Sequence, residues 1–218
     1  LSLDGWSALI LAGGAGRRFG GGKLLADLAG APVIRRVAER VLGAGFAEVV
    51  MVTGADGASL RPALEGLACR IVDAPDWDEG MAASLRAGVG ALTPKARGAF
   101  VFLGDMPLVP VALSAPLAAA AEAAGYAARP RHAGKPGHPV AFTRAAFADL
   151  AKLEGDTGAT ALLKARPEAV AYLDTADSGV LLDIDTPADL AAATAAWKAC
   201  ATSAITDSAT SRGALPKP

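Results

Sequence analysis

The sequence predicts an α/β domain of three layers, α/β/α, around a mostly parallel sheet, and three observations carry that prediction. Short apolar runs alternate with amphipathic stretches along the chain, the pattern of parallel strands joined by crossover helices. The first such run, Ala8-Leu9-Ile10-Leu11, empties directly into a glycine-rich loop. Acidic residues stand just past two later runs, and such sheets bind ligands beyond the carboxyl ends of their strands.

The loop after the first strand is Leu11-Ala12-Gly13-Gly14-Ala15-Gly16-Arg17-Arg18-Phe19-Gly20-Gly21-Gly22-Lys23, and no acidic residue occurs between Gly5 and Ala26. Glycines let backbone N–H groups approach a phosphate closely, and Arg18 and Lys23 add charge-assisted donors. The loop therefore reads as a nucleotide site. It is not a Walker loop, because Arg17 stands at the first glycine position and Leu24, not Ser or Thr, follows Lys23. A dinucleotide fingerprint from Gly14 and Gly16 meets Phe19 where Gly or Ala is required.

Pro32 can open a helix whose Val33, Ile34, Val37 and Val41 share one face, with Gly43 or Gly45 ending it. Further strands are expected at Glu48–Val52, Cys69–Val72, Ala99–Leu103 and Val180–Ile184, with helices at Ala58–Leu67, Met81–Leu92 and Val111–Ala124. From Arg129 to Pro139 the breakers Pro130, Gly134, Pro136, Gly137 and Pro139 predict a long loop, a lid over the crevice for a second substrate. Residues 201–218 lack periodicity and are expected to be a disordered tail behind a domain spanning 1–200.

Composition narrows the partner. With 218 residues and 52% apolar content the chain can close one sizeable core. A net charge of -1 with 20% charged residues supplies no field that would gather nucleic acid, which points to a small anion. The apolar runs are shorter than a membrane span and Leu1-Ser2-Leu3-Asp4 lacks a basic secretory start, so no membrane contact and a cytoplasmic location are expected. Cys69 and Cys200 have no second Cys or His at ligand spacing and read as idle thiols.

Asp105 follows the run Ala99–Leu103 and Gly104, where a metal ligand would meet bound phosphates. In Val180-Leu181-Leu182-Asp183-Ile184-Asp185, strand alternation would put Val180, Leu182 and Ile184 on one face and both carboxylates on the other. Mg²⁺ takes one or two carboxylates plus phosphate oxygens and waters, which suits Asp105 with one Asp of this pair. Plainer readings stay open. Asp105 can start a turn before Pro107, Asp185 can serve the helix start at Thr186-Pro187-Ala188-Asp189, and His138 can be an ordinary loop residue. Asp189 reads as structural, near the positive end of that helix's dipole.

On these residues the chain resembles the nucleotidyltransferases that mature the molybdenum cofactor, most closely the cytidylyltransferases. The carriers are Leu11–Lys23, Val52-Thr53-Gly54, Pro75-Asp76-Trp77 with Gly80-Met81 and Ser84-Leu85, Gly104-Asp105-Met106-Pro107, Pro136-Gly137-His138-Pro139-Val140 and Leu182–Pro187. The resemblance implies a nucleotide-diphospho-sugar transferase-like, Rossmann-like fold. It implies Mg²⁺ or Mn²⁺ as cofactor, CTP as donor and molybdopterin as acceptor, with transient contact to a molybdoenzyme or its chaperone. It further implies nucleotide contacts from Leu11, Ala12, Gly13, Gly14, Gly16, Arg18, Lys23, Thr53, Ser84 and Asp105, with Arg18, Lys23 and Asp105 catalytic. Asp105 and Asp185 would hold the metal, and Pro136, Gly137 and His138 the pterin. Gly13 stands where cytidylyl enzymes typically carry Ala, as in the guanylyl branch, which keeps GTP in play. Cytidylyl transfer to a sugar or polyol phosphate, NAD(P)-dependent redox chemistry and a non-catalytic nucleotide-binding scaffold are the competing readings.

Overall fold

The apolar run after Gly5 becomes β1 (Trp6–Ala12), buried at every position. The computed structural model describes residues 2–14, 19–156 and 158–210, the stretch 201–210 by its backbone alone. β1 lies at the centre of the parallel part of the sheet, between β2 (Glu48–Thr53) and β4 (Gly98–Leu103), with β3 (Arg70–Asp73) outside β2. Beyond β4 the sheet turns antiparallel through β7 (Val140–Thr143) to β5 (Ala127–His132), which pairs in turn with β6 (Lys135–Pro136) and, in parallel, with β8 (Val170–Asp174). Among the described residues the order is β3-β2-β1-β4-β7-β5-β6, with β8 also on β5.

Alternation along β1 sets the three layers. Ala8, Ile10 and Ala12 join the core beneath α1 (Val33–Leu42) and α4 (Ser114–Ala124), while Leu9 and Leu11 join the opposite core beneath α3 (Met81–Ala91). α5 (Phe147–Leu150) and α6 (Thr160–Ala165) extend that second layer through Leu150 and Leu163. The mostly parallel three-layer α/β/α architecture is therefore as expected, and α1 buries the predicted face. An aromatic cluster anchors the first core: Phe100 lies 5.2 Å from both Trp6 and Phe46, and Phe46 lies 5.8 Å from Phe102, ring centre to ring centre. Gly98 leaves the space that the Trp6 ring fills, since a Cβ there would strike the ring and the Phe142 carbonyl.

Three expectations are corrected. Residues 129–139 are not a lid loop; β5 and β6 form a hairpin within the sheet, turned by Ala133 and Gly134 at φ 47° and 79°. Pro130 is tolerated there because its carbonyl, which takes the Gly137 N–H, is what the ladder uses. Residues 180–184 are not a strand. The Asp177 side chain accepts from Gly179 N and starts a turn over Ser178–Leu181, after which Leu182 is 46% exposed while Ile184 is buried. The helix expected over 58–67 breaks at Pro62 into α2 (Gly57–Leu60) and a tighter turn. α7 spans Pro187–Thr210 in its backbone, and residues 211–218 of the expected tail lie outside the described residues. No helix among the described residues is long and apolar enough to cross a membrane.

Phe100→Ala removes the ring common to both 5.2 Å contacts and is expected to destabilise the fold by about 3–5 kcal/mol in urea unfolding; a loss below about 1 kcal/mol would show that this cluster does not anchor the core.

Candidate active site

Gly104 ends β4, and its N–H donates to the Leu11 carbonyl at 2.8 Å, so the ends of β1 and β4 are tied together. A Cβ at Gly104 would lie 2.9 Å from Ile34 Cδ1 and 3.0 Å from the Leu11 carbonyl. The bare backbone allows that turn, and it delivers Asp105 to the carboxyl edge of the sheet. From the other side, Gly22 at φ 68° leads into the short turn that carries Lys23. Lys23 Nζ donates to Asp105 Oδ2 at 2.6 Å and to Asp185 Oδ1 at 3.2 Å. Burial alone would push the Lys23 ammonium down, but its bonds to Asp105 and Asp185 and their charges outweigh that and raise it above its ordinary value.

Two devices hold Asp185. The Ile184 N–H donates to the Asp105 carbonyl at 3.0 Å. At the start of α7, Asp189 Oδ2 accepts from Asp185 N, Thr186 N and Thr186 Oγ1, while Asp189 N donates back to Thr186 Oγ1. That reciprocal cap is the structural role read for Asp189. The bonds from Thr186 hold its carboxyl below the ordinary range. Ile184 packs with Leu28, Val33 and Ala193 in a small core against which Phe19 and Trp197 also rest. The far end of the glycine loop and the Asp185 segment therefore share one apolar support. Asp183 lies close by, its carboxyl raised by burial and by the charges of Asp185 and Asp105.

The donor set fits a hard cation. Asp105 Oδ1 is buried and has no hydrogen-bond partner, a position that one more positive ligand would satisfy. Among the described residues no group of three or more His, Cys, Asp or Glu side chains is placed to hold an ion by itself, so Asp105 and Asp185 could supply two ligands at most.

The remaining predicted residues sort differently. Gly13 meets Ser84 of α3: a Cβ at Gly13 would lie 2.6 Å from Ser84 Oγ. Gly54 presses on the same point, where a Cβ would come within 2.9 Å of Gly13 Cα and of Trp77 Cβ. Leu11 and Ala12 are buried within β1 and can offer only backbone. Gly14 lies with Gly22, Lys23, Asp56 and Ser59 around a cavity of about 160 Å³. Gly16 and Arg18 lie outside the described residues. The Thr53 hydroxyl is already committed, donating to Asp73 Oδ1 at 2.6 Å; Asp73 also takes Arg61 Nη2 and sits below the ordinary carboxylate range, first through Thr53. Asp73 ends β3 and was findable by the rule that located Asp105.

On the acceptor side, Pro136 is exposed and Gly137 buried. The Gly137 carbonyl accepts from Arg129 Nε and Nη2 at 3.1 and 3.0 Å, and His138 N donates to the Val180 carbonyl at 2.8 Å. Arg129 escaped the sequence reading because its segment looked like a loop. His138 lines a second cavity. Burial, then the neighbouring Arg129 charge, lowers its imidazole from 6.5 to about 4, so the ring is neutral at pH 7.

A glycine loop, a lysine and the carboxylates of Asp105 and Asp185 gathered at one sheet edge are the site of a nucleotidyltransferase. Residues 8–170 match the MobA-like NTP transferase domain, and the chain belongs to that family. It is 32% identical over 191 residues to the nicotine blue oxidoreductase of Paenarthrobacter nicotinovorans, covering 83% of this chain and 92% of that protein. The Rv0371C–manganese complex from Mycobacterium tuberculosis superimposes with a TM-score of 0.75 at 28% identity, over 87% of this chain and 97% of that one. Molybdopterin-guanine dinucleotide biosynthesis protein A of Archaeoglobus fulgidus, at 22% identity and a TM-score of 0.66 over 90% and 99% of the two chains, shares the fold.

Because His138 falls from 6.5 to about 4 on folding, the unfolded chain takes up its proton first as the pH drops. The stability held by the neutral imidazole is complete above about pH 6.5, declines as pH falls between 6.5 and about 4, and levels below that, a loss on the order of 3 kcal/mol. Urea unfolding of the protein and of His138→Phe across this range measures it: the variant is expected to lose that component of the slope, and parallel profiles would contradict the assignment.

Proposed function

We propose that this enzyme transfers CMP from CTP to the phosphate of molybdopterin and releases pyrophosphate. The observation that carries the reading is the convergence of Lys23, Asp105 and Asp185 at the mouth of the glycine loop. An acceptor phosphate oxygen attacks the α-phosphorus, the bond from that phosphorus to the bridging oxygen breaks, and pyrophosphate leaves with the electron pair. The acceptor is ionised at neutral pH, so no general base is needed, and positioning and charge neutralisation dominate.

Asp105 and Asp185 would hold Mg²⁺ or Mn²⁺, and the manganese in the Rv0371C complex supports a divalent ion for such a site. When bound, that ion supplies positive charge to the donor phosphates. Lys23 would stabilise the departing pyrophosphate, with Arg18 and the N–H groups of Gly13, Gly14 and Gly16 holding the charge that moves outward. Ser84 would meet the base, a reading supported by its close approach to Gly13. Pro136, Gly137 and His138 face the acceptor. Thr53, whose hydroxyl proton is held by Asp73, would meet the nucleotide as an acceptor or through its backbone.

Two other readings have specific support. Gly13 is a feature of guanylyl enzymes and favours GTP as the alternative donor to the same pterin. The relative that bears the name nicotine blue oxidoreductase favours reduction of a heterocycle, against which Phe19 occupies the third glycine position of a dinucleotide loop.

A panel of CTP, GTP, ATP and UTP with magnesium and molybdopterin, read as pyrophosphate release, is expected to give turnover with CTP. Release with GTP alone transfers the assignment to the guanylyl branch, and tight NADPH binding without any pyrophosphate release would replace it with redox chemistry. Asp105→Ala and Lys23→Ala are each expected to lower turnover by about 10²-fold or more; folded variants at near-normal rates would remove these groups from the mechanism.

A further inference from the structure

The apolar neighbours of Lys23 along the chain pack into two different cores. Leu24, directly after it, is buried in the larger core together with Met106, the residue after Asp105. Phe19, upstream of it, rests against the small core of Leu28, Val33, Ile184 and Ala193, and Ile184 is the residue before Asp185. One flank of the lysine therefore shares its apolar support with Asp105 and the other with Asp185.

The stretch between Phe19 and Lys23 gains nothing from packing of its own. Gly20, Gly21 and Gly22 take φ values of 88°, 94° and 68°, a region that favours glycine, and no packing neighbour lies within 4 Å of where a Cβ would stand at any of them. Glycine loses more conformational freedom on ordering than any other residue, so the order of this stretch comes from its two ends. Leu24 supplies the downstream end from the main core of the domain. Phe19 supplies the upstream end, and among the described residues it is the only member of the small core that comes from the glycine loop. The opposite side of that core is pinned, because Trp197 of α7 lies against the Arg36 and Arg40 guanidiniums of α1, 5.3 and 5.5 Å from its ring centre.

We propose that Phe19 is a positioning residue whose ring couples the glycine loop to the Asp185 segment, so that a triphosphate drawn into the loop and a cation drawn to Asp185 favour the same arrangement. The ring has no polar atom to offer either ligand and acts through Ile184 and the chain that follows it. The inference rests on the donor half of the reading above and deepens it, since it requires a nucleoside triphosphate with a divalent ion and no particular acceptor. Coupling of this kind is reciprocal in affinity, and two residues that act through one another give penalties that do not add.

Calorimetric titration of CTP at a fixed millimolar concentration of Mn²⁺ tests this on the full chain, Phe19→Ala, Asp185→Asn and the double variant, with urea unfolding as a check that each is folded. Phe19→Ala is expected to weaken CTP about tenfold in the unaltered chain and less than about twofold when Asp185 is already Asn. A ring that merely fills space would cost the same in both. Phe19→Leu, which keeps an apolar contact, is expected to bring affinity back to within about threefold. Undiminished affinity in Phe19→Ala, equal penalties in the two backgrounds, or a leucine variant as weak as the alanine one overturns the proposal. If Phe19→Ala does not fold, Phe19→Thr enters the cycle with the same expectation. If CTP is bound and turned over by the unaltered chain while the penalties add, this inference alone falls; if the unaltered chain neither binds CTP nor turns it over, the transferase reading falls with it.

Discussion

An ammonium held between two carboxylates is the interaction on which the crevice depends. Lys23 reaches Asp105 and Asp185, 82 and 162 residues away along the chain, and so joins the end of the glycine loop, the end of β4 and the segment before α7. Two carboxylates on one edge repel unless a positive charge stands between them. The lysine supplies that charge in the free protein, and removing it would leave partly buried like charges facing each other, the costly way to break such a cluster.

The same arrangement explains how the site can exchange partners. Asp105 keeps Oδ1 buried and unpartnered even with Lys23 on Oδ2, so its capacity for positive charge is not exhausted. On the proposed function, an incoming triphosphate with its cation would offer the carboxylates a second positive ligand and the lysine a phosphate. The Gly104–Leu11 hydrogen bond ties the ends of β4 and β1, the Ile184–Asp105 bond ties the Asp185 segment to them, and the Asp189–Thr186 cap holds the approach to α7. Preorganised supports of this kind let side chains swap ligands without refolding the site.

Much of this was legible in the sequence because the signals are local. The strand–glycine–lysine order, the amphipathic face of α1, the glycine before Asp105 and the Thr186–Asp189 cap each lie within a few residues of one another, and each sits where the residues place it. The antiparallel flank was not legible. Pro130, Pro136 and two glycines read as breakers, yet β5 is stabilised by β7 and β8, which lie well beyond it in the chain, and pairing at that range leaves no mark in a short window. Arg129 was missed for the same reason. The segment 180–185 erred the other way: a period of two suggested a strand, but a single side-chain bond from Asp177 turned the chain and left Leu182 in solvent. The Thr53–Asp73 hydrogen bond joins residues twenty apart and is likewise visible only in the fold.

The central claim is that Asp105 and Asp185 act together as the carboxylates that receive a divalent ion with the donor triphosphate. Electron paramagnetic resonance titration of Mn²⁺ in the presence of CTP tests it directly, comparing the unaltered chain with Asp105→Asn and Asp185→Asn. The account predicts that each substitution weakens Mn²⁺ binding at least tenfold while the protein remains folded. Undiminished Mn²⁺ binding in both variants would contradict it.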